Sequence, residues 1–142
     1  MMSLINKFFS QSLSGSNGAE KTDDPQSDKL SEGMIAIASE TFRFQKTLSS
    51  VLNKLSPDDQ QKYGGQFSWY LKRVSRAIDD AGYRIIDLEK EAYDPGMAVT
   101  PLNLDEFTPK DHLYIEQMIE PIIMQGSSVC KTGTVLLGRI EE

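Results

Sequence analysis

Between Met34 and Leu55 the chain repeats in steps of three and four. Met34, Ile37, Thr41, Phe44, Leu48, Val51 and Leu55 form an unbroken seam of a/d type, with Thr41 its one polar member. This periodicity predicts a helix beginning near Ser31, capped by Asp28 or Ser31. Ile35, Ala38 and Leu52 widen the stripe, which suits a helical bundle better than an isolated two-stranded coiled coil.

Ser56-Pro57-Asp58-Asp59 is a start signal for a second helix, with Ser56 as cap, Pro57 as first helical residue and two carboxylates at the positive dipole end. Gly64-Gly65 weakens the next turns and predicts a kink or short break there. Phe67, Tyr70, Val74, Ala77 and Ala81 then resume the three-four spacing, and Gly82 is a natural left-handed stop. The two helices form an αα-hairpin whose long apolar stripe asks for another layer. A second copy of the chain supplies that layer most simply, as a four-helix bundle. Packing against the C-terminal region is the alternative. The expected seam is Met34, Ile37, Phe44, Leu48, Val51, Leu55, Phe67, Tyr70 and Val74.

After Gly82 the period drops to two. Residues 83–88 read as a largely buried strand, and Tyr93-Asp94-Pro95-Gly96 is turn chemistry, Pro95 fixing φ and Gly96 permitting a positive one. Met97–Thr100 is a short extended piece, Leu102–Asp111 an acidic irregular stretch, and Leu113–Met124 long and apolar, with Pro121 at an edge or bulge. Gln125-Gly126-Ser127 turns the chain. Lys131-Thr132-Gly133 predicts a tight hairpin between two last strands. The fold class is therefore α+β: a helical section followed by a small antiparallel β-rich domain of four or five strands. The expected segments are 1–27, 28–82 and 83–142.

The first segment holds MMSLINKFFSQSL, whose Leu4, Ile5, Phe8 and Phe9 share a helical stripe. It lacks the basic flank and cleavage site of a signal peptide. Residues 14–28 are Ser, Gly and Asp-rich and read as a linker.

Composition adds an asymmetry. The 142 residues carry a formal charge of −6, and residues 83–142, with five basic and eleven acidic groups, hold all of it. That balance disfavours nucleic-acid binding. The longest apolar run, Met34–Ala38, is too short for stable membrane insertion. A cytoplasmic location is expected. One cysteine and one histidine leave no disulfide and no Cys- or two-His-based metal motif. Cys130 in an alternating strand reads as half-buried. His112 has no orienting partner in the sequence, Glu116 and Glu120 mark no substrate pocket, and Lys72, Arg73 and Arg76 read as a solvated helix face. No catalytic residue, metal or cofactor is therefore assigned, and the chain is not expected to be an enzyme. A small enzyme with a site in Leu102–Asp111 is the weakest of the readings.

A helix running into Gly82-Tyr83-Arg84-Ile85-Ile86, then Tyr93-Asp94-Pro95, then Ile123-Met124-Gln125-Gly126 and a closing Val135-Leu136-Leu137-Gly138 resembles the GrpE family. These are nucleotide exchange factors for DnaK-type chaperones, and the likeness in layout covers residues 31–142. The chain departs from the family in having Gly96-Met97-Ala98 where a His usually follows Asp-Pro. A lone Arg139 stands in place of a basic ending, and the helical section is short. The resemblance implies a homodimer whose β domain binds a DnaK-type ATPase and speeds ADP release. Tyr93, Asp94, Pro95, Gly126 and Arg139 would be the partner-contacting residues. The alternative is an interaction or assembly adaptor without exchange activity, working through the β domain and the N-terminal peptide.

Overall fold

The computed structural model describes residues 24–141. The segment Met1–Leu13 and the polar stretch as far as residue 23 lie outside the described residues. Contacts divide the chain into compact units 1–31 and 32–142. Of the first, the described part is a helix start. Asp24 accepts from the amide of Gln26 at 3.1 Å and Pro25 follows it, so helix α1 spans Pro25–Leu52. This is earlier than Asp28 or Ser31, and residues 25–28 are helix rather than linker. Asp24-Pro25 uses the same cap-then-proline device as Ser56-Pro57, with Pro losing no intrahelical bond at the first position.

Helix α2 spans Pro57–Asp80, and Ser56 accepts from the Asp59 amide at 3.3 Å. It runs unbroken through Gly64-Gly65, where a kink or short break was expected. Gly64 faces Leu52: a Cβ built there would lie 3.9 Å from Leu52 Cδ1. Gln60 donates to the Leu52 carbonyl at 2.9 Å, closing the interhelical turn. Ala81 ends α2, and Gly82 takes φ +89, the left-handed stop expected of it.

Among the described residues six strands follow, in two three-stranded sheets. β1 (Tyr83–Ile86), β4 (Ile122–Gln125) and β5 (Ser128–Lys131) form one in the order β1-β4-β5, wholly antiparallel. β2 (Val99–Pro101), β6 (Gly133–Arg139) and β3 (Leu113–Glu120) form the other in the order β2-β6-β3. There β3–β6 is antiparallel, with register shifts after Ile115 and Met118, and β2–β6 is parallel. The α+β class holds, with antiparallel pairing dominant.

Two expectations change. Lys131-Thr132-Gly133 is not a hairpin, because β5 and β6 belong to different sheets and the chain crosses between them at Thr132. The hairpin lies one turn earlier, between β4 and β5, where Gly126 takes φ +58. Gly133 serves close packing instead: a Cβ there would lie 2.7 Å from Met118 Cε and 3.0 Å from the Glu120 carbonyl. Pro121 is likewise neither an edge nor a bulge. It is buried at the corner where β3 of one sheet becomes β4 of the other, a place with no ladder bond for its missing N–H to break.

The core has two parts. Ala38 of α1, Ile78 of α2, Tyr83 of β1 and Ile123 of β4 pack together, with Met34, Ile35, Val74 and Ile85 at the margin. Ile115, Met118, Val135 and Leu137 are buried between β3 and β6. The stripe that α1 buries is thus Ala38, Ser39 and Phe42. It lies beside the three-four seam, not on it.

Candidate functional site

Much of the seam is accordingly left in the open. Ile37, Phe44, Val51, Leu55 and Tyr70 are exposed, and Met34, Leu48, Phe67 and Val74 are half-buried. Within the single chain the β module packs against Ala38 and Ile78, and of the seam only Met34 and Val74 reach the margin of that cluster. Phe44 of α1 and Gly65, Gln66, Phe67, Trp69 and Tyr70 of α2 instead line an open depression of ≈ 800 Å³, almost wholly apolar. Gly65 contributes to this hollow, for a Cβ there would meet nothing within 4 Å. Trp69, the single tryptophan, is 62% exposed on its rim with the Arg73 guanidinium 4.8 Å above the ring. Lys62 stands 5.2 Å over Tyr63. Lys72, Arg73 and Arg76 lie on exposed helix face, as expected.

A charged tie fastens α1 to the β module. Lys46 pairs with Asp87 at 3.1 Å and with Glu89, both in the segment leaving β1. Glu89 also accepts from the Met118 amide of β3 at 3.2 Å, so one carboxylate engages a helix and the second sheet together. Burial works against charge on both partners. Their hydrogen bonds outweigh it, holding Lys46 above and Glu89 below their ordinary pKa values. Lys90 next to this junction takes φ 73, a left-handed conformation outside glycine, as its amide donates to the Ile115 carbonyl at 2.7 Å.

The five partner-contacting candidates are only partly gathered. Arg139 pairs with Leu113 in the β3–β6 register, and Tyr93 donates its amide to the Leu113 carbonyl at 2.9 Å. Tyr93 and Arg139 therefore flank Leu113 of β3 at one end of the β2-β6-β3 sheet. Asp94 and Pro95 follow Tyr93 in an exposed turn, where the Asp94 carboxylate accepts from the Gly96 amide at 2.6 Å. Gly96 needs no positive φ there, because this cap stabilises an ordinary turn. Gly126 lies on the other sheet, in the β4–β5 turn, away from the other four.

Arg139 is not free at its end of the sheet. Its guanidinium binds Asp111 at 3.1 Å and lies 5.9 Å from the Phe107 ring centroid. The Thr108 amide, at 2.8 Å, and the Thr108 hydroxyl also donate to Asp111, and together with Arg139 they hold its carboxyl below the ordinary range. His112, beside this cluster, is exposed, and its carbonyl accepts from Ile140. Glu116 is exposed, whereas Glu120 accepts from the Thr134 hydroxyl at 3.2 Å and lies 3.7 Å from Lys131. Cys130 is exposed on the edge strand β5 rather than half-buried.

Sequence reasoning missed Asn103. Its carboxamide donates to the Leu137 carbonyl at 3.0 Å and accepts from the Leu137 amide at 2.9 Å. An asparagine in an irregular stretch is an ordinary loop residue, and no local pattern distinguishes one that completes a ladder 34 residues away.

A scan against family models and searches of curated proteins and solved structures returned no match. Among the described residues no helix is long and apolar enough to cross a membrane, and no His, Cys, Asp and Glu grouping suits a metal ion.

Proposed function

We propose that this chain is a GrpE-like nucleotide exchange factor: a homodimer that binds a DnaK-type ATPase through its β module and promotes release of ADP. The supporting observation is the passage of α2 through Gly82 directly into β1, so that helices and β module share one core while Tyr93 and Arg139 stand exposed or half-exposed at one sheet end. Such a scaffold transmits force between two bodies without chemistry of its own. To accelerate release, the factor must bind the open nucleotide cleft more tightly than the closed one. The acidic balance of residues 83–142 suits steering toward a basic partner face.

The exposed seam supports the dimer. Ile37, Phe44, Val51, Leu55 and Tyr70 are costly in water and spaced for a facing helix, and a second copy brings the same residues. Stopped-flow release of a fluorescent ADP analogue from the cognate ATPase tests the activity. Acceleration supports exchange, and binding without acceleration favours the second reading, an assembly adaptor. The apolar depression on the hairpin favours that reading, since it suits docking whether or not exchange occurs.

A further inference from the structure

The stretch from Leu102 to Asp111 is irregular in sequence but fastened at both ends to β6. The Leu102 amide donates to the Val135 carbonyl at 3.0 Å, continuing the parallel β2–β6 ladder one residue past the strand. Asn103 supplies the next rung with its side chain, through the paired bonds to Leu137. A 3₁₀ turn then spans Leu104–Glu106. At the far end Asp111 closes on Thr108 and is held by Arg139, the last residue of β6.

Since Asn103 faces β6, its two neighbours are turned away from it. Leu102 is 59% exposed and Leu104 48%. A loosely held loop would relieve such exposure by folding its leucines inward. Polar anchors at each end prevent that here, and the leucines remain in water. Asp105 and Glu106 are exposed directly beside them, and Ile140 is a further exposed apolar side chain at the same end of β6.

We infer that Leu102 and Leu104 are a docking element, presented by Asn103, for an apolar pocket with a basic rim on the partner protein. The inference rests on the proposed function, which makes that partner the DnaK-type ATPase, and adds contact residues to it. The leucines fill the pocket while Asp105 and Glu106 meet the positive rim, a pairing that the acidic module reinforces at long range. Asn103 acts as a positioning residue through the loop backbone and touches no partner.

The test is ADP-analogue release from the ATPase, followed against concentration of the full chain. Leu102→Ser combined with Leu104→Ser should raise the half-saturating concentration about tenfold with the plateau rate retained, as loss of a buried apolar anchor predicts. Asp105→Asn combined with Glu106→Gln should raise it about threefold at low salt and flatten its salt dependence. These are surface substitutions, so thermal melts should match wild type. If wild type accelerates release and the leucine variant has the same half-saturation, the docking inference is overturned and the exchange function stands. An unchanged salt dependence in the carboxamide variant overturns the basic rim. If wild type neither binds nor accelerates, the exchange function falls and this inference with it.

Discussion

The Asn103 side chain and the Leu137 backbone exchange two hydrogen bonds, at 2.9 and 3.0 Å, so that a side chain occupies the position of a strand residue. The bonds extend β6's parallel edge beyond where β2 ends. Replacing Asn103 with Ala leaves both backbone groups of Leu137 without these partners and should cost about 1–3 kcal/mol. Urea denaturation measures the loss. A wild-type midpoint would mean that water replaces the carboxamide without penalty.

Lys46 supports a second prediction, in pH. Its raised pKa means that its contribution is complete below 10.5 and is lost as pH climbs through the raised value. Glu89, with a lowered pKa, contributes fully above 4.5 and less as pH falls through its folded value. The stability difference between wild type and Lys46→Met should therefore be flat between those limits and shrink on either side. Since Lys46 is partly exposed, about 1 kcal/mol is expected on the plateau. Chemical denaturation across pH checks both edges.

Gly138 packs under Tyr114, and a Cβ at Gly138 would lie 2.7 Å from the ring. Gly138→Ala should destabilise by about 1–3 kcal/mol, the usual range for overpacking. Adding Tyr114→Leu should recover part of it. Strict additivity of the two changes in denaturation would rule out the steric origin.

Trp69 reports on the hairpin face. As the single tryptophan, with most of its surface in water, it should shift its emission to shorter wavelength as chain concentration rises through self-association. Phe44→Asp, which puts a charge in the apolar depression, should abolish that shift and give a monomer in sedimentation. A wild-type monomer at high concentration would rule out the proposed dimer.

Asp79 sits in the last turn of α2, where the helix dipole disfavours negative charge. Burial and the neighbouring Asp80 raise its pKa, against the pull of Arg84. A raised carboxylate pKa means the charged form weakens the fold at neutral pH, and wild type gains stability as Asp79 protonates. Since Asp79 is partly exposed, solvent screening keeps the effect small, and Asp79→Asn should stabilise by about 0.5 kcal/mol at pH 7, with the gain vanishing in acid. Paired urea curves at the two pH values measure it.

Both helices were legible because apolar spacing of three and four is a local property, as was the Ser56-Pro57 cap. Which stripe packs inward was not legible. Seam and buried stripe sit side by side on α1, and the choice of Ala38 depends on what Tyr83 and Ile123 bring from elsewhere. The strands were readable from alternation and turn residues, but their partners were not. Gly126 and Gly133 look alike as turn signals, yet one takes a positive φ and the other makes room for Met118. Of the candidate site, Tyr93 and Arg139 came to flank Leu113 through pairing with β3. Asn103 stayed hidden because its role is defined only by a residue 34 positions on.

The position of β6 has a consequence for synthesis. It is the middle strand of its sheet and the last of the six in chain order. A ribosome therefore delivers β2 and β3 before the strand that separates and pairs them. Their edges, Asn103 and the Leu102–Leu104 loop among them, wait without partners until Gly133–Arg139 emerges. While the chain grows, that interval is when this half of the module is most open to mispairing. A chaperone holding the nascent chain would have its greatest effect there.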